Sequence, residues 1–252
     1  MDEERVWGRR WFGAVTQDYT ALAIAAVFAL AGLLPLIAGG ILRPITWLCL
    51  LSGVGAGFFA REATALAWEV LGPLGGLSNS PGGSVVHQML ATGIGELLKA
   101  IVPLTVILWA ATHPSTGLSY GAAAGAGFAL INAQRVLVRV LELVGSPIVT
   151  PLSTALAVIG WFFTILGHIT TTGYLTWAAA GGGFGRAFLV AWGIQFALLL
   201  AQRLPVVAGV PLSLPVSMIV TLMLLYYLRG LRARPANGIV PNGRPAPSAS
   251  EP

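Results

Sequence analysis

Apolar residues along this chain fall into seven long runs, separated by short clusters of Gly, Pro, Ser and charged residues and without the strict alternation of a half-buried strand. The runs cover about residues 19–40, 44–60, 85–112, 117–141, 147–179, 184–202 and 205–228. A helix of roughly 20 apolar residues crosses a ~30 Å hydrocarbon core and satisfies its own backbone polar groups there. The pattern therefore predicts an all-α, polytopic transmembrane helical bundle. The fifth run is too long for one straight crossing. Pro147 and Pro151 predict a turn or interfacial piece at its start, and a second break near Gly167 would raise the count from seven membrane segments to eight.

The polar stretches complete the organisation. "REATALAWEVLGPLGGLSNSPGGS", between the second and third runs, reads as a short interfacial helix followed by a loop. Residues 1–18 are charged and aromatic, unlike the basic-then-apolar layout of a cleaved signal peptide, and read as a membrane-surface segment. Residues 19–229 form the transmembrane domain, and 230–252, rich in Pro, Gly, Ser and Ala, are expected to be a disordered tail.

Composition narrows the class. The chain is 56% hydrophobic and 9% charged, whereas a soluble domain is about a quarter charged, so an ordinary soluble fold is excluded. A net charge of +5 would suit nucleic acid in a soluble protein. Here the arginines lie mostly at the edges of apolar runs and in the tail, which assigns them to topology and to contacts with membrane lipids, with no nucleic-acid partner. The expected location is integral to the membrane, in a bacterial plasma membrane. Cys49 is the only cysteine, which leaves no disulfide or Cys-based metal site. Arg5, Arg9 and Arg10 near one terminus and Arg229, Arg232, Arg234 and Arg244 near the other both favour the cytoplasm. Seven crossings cannot satisfy both, so eight passes or a re-entrant piece are expected.

The candidate chemistry lies inside the apolar runs, where a Glu or Lys costs roughly 2.5–3.5 kcal/mol on insertion scales. "GIGELLKAIVP" holds Glu96 and Lys99, the only lysine, three residues apart on one helix face. They are a structural ion pair or part of a site. The next run, "GLSYGAAAGAGFALINAQRVLVRVLELVG", has a small-residue face at Gly121 and Gly125, then a polar stripe of Asn132, Arg135, Arg139 and Glu142. The arginines and Glu142 read as a snorkelling helix end, whereas Asn132 lies deeper. The fifth run supplies "GHITTTG", with His168 beside three threonines whose hydroxyls can bond their own helix. His87 and His113 read as interfacial.

Taken in order, E-x-x-K, G-x-G-F-A and G-H-x-x-T-T-G resemble the PrsW family of intramembrane proteases, which is related to CAAX-processing membrane endopeptidases. The resemblance covers roughly residues 85–180. The family pattern has a pair of glutamates before the lysine, where this chain has Gly95 and Glu96, and a glutamate and asparagine where it has Asn132 and Ala133. A later histidine motif has no counterpart, since no His follows His168. The resemblance implies a site of Glu96, Lys99, Asn132 and His168 with partly lost catalytic equipment, which binds membrane helices or peptides with weak or no cleavage. The alternatives are an active glutamate-dependent protease, with Glu96 as general base and the other three polarising the carbonyl, or a non-enzymatic accessory subunit of a larger complex. A subunit could contact pigment, haem or quinone through His168 or His87. Transport through a Glu96–Lys99 relay with helices broken near Pro103 and Pro147 is a further alternative. The metal requirement and any cofactor stay open at this level.

Overall fold

Four of the helices begin at a proline, Pro44, Pro81, Pro114 and Pro151, where the missing N–H costs nothing and the fixed φ suits a first turn. This computed structural model describes residues 3–37, 42–74, 81–110, 113–142, 150–204, 206–207 and 210–233. Among them are seven helices: α1 (Glu3–Ile37), α2 (Pro44–Leu74), α3 (Pro81–Ala110), α4 (Pro114–Glu142), α5 (Pro151–Ala180), α6 (Phe184–Ala201) and α7 (Ser213–Ala233). All seven are long and apolar enough to cross a membrane, so the protein is an integral membrane helical bundle. A two-stranded antiparallel hairpin, β1 (Val206–Val207) and β2 (Val210–Pro211), precedes α7 where the apolar run alone suggested that helix had already begun.

Several boundaries differ from those the pattern suggested. The "REATALAWEVL" stretch is not a separate interfacial helix but the continuation of α2 to Leu74. It contains no Gly or Pro, and extending a formed helix is much easier than nucleating another. The backbone from Glu3 joins α1 without a break. α5 runs straight through Gly167, so the break that would have given an eighth crossing is absent among the described residues. The Gly/Ser/Pro loop at 75–80, Pro147 and the tail from 234 onward lie outside the described residues. Local signals set several ends. Thr150 caps α5, its Oγ1 accepting from Ser153 N at 3.1 Å, and the Nδ1 of His113 accepts from Ser115 N at 3.2 Å at the start of α4. Gly182, at φ +82°, makes the tight turn between α5 and α6.

α4 is the central helix, buried without interruption from Gly117 to Ala129. Gly117, Gly121 and Gly125 recur every fourth residue and face α5. A Cβ at Gly117 would lie 2.9 Å from Thr176 O, one at Gly121 2.5 Å from Thr172 O, and one at Gly125 2.9 Å from Ile169 Cα. On α4's other side Gly53 of α2 approaches the carbonyl of Ala124, and Gly127 approaches that of Leu50. Such small-residue contacts let two backbones come close where lipid provides no hydrophobic drive between helices. Polar clasps join them: Thr176 Oγ1 donates to Gly117 O at 2.8 Å, and Ser119 Oγ to Leu36 O of α1 at 3.1 Å.

Other glycines have no such role. A Cβ at Gly193 of α6 meets nothing within 4 Å, so Gly193→Ala is expected to stabilise the protein by about 0.5–1 kcal/mol through helix propensity alone. Thermal unfolding in detergent would check it.

Candidate functional site

α3 carries Thr92, Glu96 and Lys99 along one face, and α4 brings Phe128 and Asn132 opposite. The close α4–α5 packing sets His168, because its carbonyl lies against Gly125. Lys99 Nζ donates to Glu96 Oε1 and also contacts His168 Nδ1 at 3.1 Å. An ammonium has no acceptor, so Nδ1 accepts and the neutral ring carries its proton on Nε2. Lys99 and Glu96 are fully buried, while His168 is half-buried. Phe128 encloses the cluster, its ring centroid 5.0 Å from Lys99 Nζ and 5.2 Å from the His168 ring.

Two further groups complete the network. Thr171 Oγ1 lies 2.9 Å from Gly167 O and 3.4 Å from Glu96 Oε1, so its single proton is held mainly by its own helix. Gln195 Nε2 of α6 donates to Thr171 Oγ1 at 2.9 Å. Thr170 and Thr172 bond back to Leu166 O and His168 O at 2.8 and 2.9 Å, as threonines in an apolar helix are expected to do. The second oxygen of Glu96, Oε2, is buried and has no hydrogen-bond partner among the described residues. A buried carboxylate oxygen left without a donor costs free energy, which marks it as a point where a donor could be received.

Glu96, Lys99, Asn132 and His168 all line one cavity of about 430 Å³ between α2, α3, α4, α5 and α6. All four sequence-derived candidates therefore meet around it. Asn132 faces the cavity beside the Lys99-centred chain of hydrogen bonds and takes no part in that chain. About 16 Å of helix separates Lys99 from the end of α3, and about 18 Å separates His168 from the end of α5, which puts the cluster near mid-depth in a ~30 Å core. His87, which packs edge-on against Trp68 at 5.1 Å, lies about 18 Å of helix from Lys99 and lines the mouth with Arg61 and Arg135. A second cavity of about 280 Å³ shares Asn132, His168 and Gln195 and extends to Gln202. His113 is exposed at the start of α4 and does not line this cavity.

No protein-family model, curated protein or solved structure matches this chain. The chemistry must be read from the side chains themselves. Among the described residues no three His, Cys, Asp or Glu side chains come together as a metal ion requires, and Lys99 stands between the two candidates, Glu96 and His168. Gly95 lines the cavity, yet a Cβ there would lie 3.3 Å from the Phe128 ring. The floor offers one carboxylate, one ammonium, one imidazole N–H and two carboxamides. Such a set can accept from and donate to an amide at the same time. Thr171 and Phe128 lie within the sequence motifs but were not among the candidate site residues, and Gln195 was not singled out from sequence. A lone Gln in the apolar run "WGIQFALLLA" was the available signal for Gln195.

Proposed function

We propose that this protein receives a membrane-embedded helix or peptide in the α2–α6 cavity and holds it without efficient cleavage, as a degenerate relative of PrsW-type intramembrane proteases. The observation that carries the reading is the meeting of Glu96 and Lys99 with His168, 69 residues beyond Lys99, in one hydrogen-bonded chain on a cavity also lined by Asn132. Peptide hydrolysis needs a base for water and donors for the oxyanion. Glu96 supplies one carboxylate, already engaged by Lys99 through one oxygen. The neighbouring slot where the resemblance calls for a second carboxylate is Gly95, with the Phe128 ring against it, and the later one is Asn132. What remains suits recognition of an amide better than its hydrolysis.

The test uses purified protein in nanodiscs with fluorescent single-span peptides. Saturable binding with no product that depends on Glu96 is expected. Cleavage that disappears in Glu96→Gln would replace this reading with the active glutamate-dependent protease, and absence of binding by any peptide would remove it. The transport alternative loses its motif at Pro103, since α3 continues across that residue to Ala110.

A further inference from the structure

The cavity is electrically unbalanced. Its lining has three cations, Arg61, Lys99 and Arg135, and one carboxylate, Glu96. Glu96 and Lys99 neutralise each other at the floor, so the two guanidiniums at the mouth are the surplus. Among the described residues neither has a carboxylate partner, and Arg135 rests over the Phe58 ring at 5.8 Å. The floor meanwhile keeps a buried acceptor, Glu96 Oε2, that has no donor among the described residues.

From this pairing of an unfilled acceptor at the floor with unpaired guanidiniums at the mouth, we infer that the occupant is an acidic peptide segment. It has an unwound peptide bond at Glu96 and an Asp or Glu side chain at Arg61 and Arg135. The inference rests on the peptide-binding function proposed above and specifies its ligand. An intact helix has no free N–H to give Glu96 Oε2, whereas an unwound stretch offers an N–H there and a carbonyl to the His168 Nε2–H. Phe128, at the floor, and Arg135 are two turns apart on α4, about 10 Å, which an extended chain covers in roughly three residues. The acid is thus expected about three residues from the bond at the floor, on the mouth side. A phospholipid phosphate would also suit the guanidiniums, but its acyl chain would leave Glu96 Oε2 without a donor and cover Asn132 and Gln195 with hydrocarbon. The peptide satisfies both ends.

The experiment uses the full-length protein in neutral phosphatidylcholine nanodiscs and two single-span peptides that differ only by Glu or Gln in the mouth-side flank. The Glu peptide is expected to bind about tenfold more tightly to the unsubstituted protein, and the difference is expected to vanish in Arg61→Gln/Arg135→Gln. Both arginines are exposed, so an unchanged melting temperature should verify the fold of the double variant. Equal binding of the two peptides would overturn this inference and leave the proposed function standing; binding of neither would remove both. If the double variant keeps the Glu preference and loses only retained phosphatidylglycerol in native mass spectrometry, the mouth is a lipid site and the inference is overturned.

Discussion

Lys99→Met is expected to lower stability by about 3–5 kcal/mol, because it leaves the Glu96 carboxylate buried with no cation. Both residues are only 1% exposed, and Thr171 Oγ1 at 3.4 Å cannot compensate. His168 Nδ1 loses its donor in the same substitution, though a neutral imidazole can change tautomer at little cost. Glu96→Gln/Lys99→Met, which removes both charges, should recover most of the loss, since replacing a whole buried pair by residues of similar volume is often close to neutral. Unfolding free energies measured in detergent for the wild type, Glu96→Gln, Lys99→Met and the double variant would give the coupling directly. Equal destabilisation by Lys99→Met and the double variant would mean that the two charges do not depend on each other.

Gly127→Val should cost about 3 kcal/mol or more, at the upper end for overpacking, because the obstacle is backbone. A Cβ there runs into the carbonyl of Leu50 and lies 2.9 Å from Val54 N, so only a separation of α2 from α4 relieves it. Gly53, on the facing helix, meets the Ala124 carbonyl in the same way and should respond alike. Gly55, two residues along α2, meets nothing within 4 Å, and Gly55→Ala should leave stability unchanged or slightly raised. Folded yield and the unfolding midpoint in detergent would separate these cases. If Gly55 and Gly127 substitutions behaved alike, close backbone approach would not be what joins α2 to α4.

The α4–α5 contact links packing to the site. Gly125 lies against His168 O, and His168 Nδ1 is 3.1 Å from Lys99 Nζ, so a side chain at 125 would displace the histidine from the lysine as well as loosen the bundle. The glycine stripe and the candidate site are parts of one arrangement.

The apolar runs by themselves determined that this is an all-α membrane bundle, because nothing else buries so many apolar residues with so few charges, and prolines mark the starts of α2 to α5. Charge at mid-span likewise singled out Glu96 and Lys99, since its insertion penalty is written in the residue type. The continuity of α5 through Gly167 was not legible there. Whether a helix continues past a lone glycine depends on the neighbours that pack on it, here Leu198 and Thr221. Gln195, Thr171 and Phe128 joined the site only in three dimensions. Residues on three helices, uncharged and individually ordinary, acquire a role when close α4–α5 packing brings His168 to Lys99 and α6 brings Gln195 to Thr171. Periodicity along one helix reports which face is apolar, while the partner across the bundle is chosen by the fit of side chains far apart in the chain.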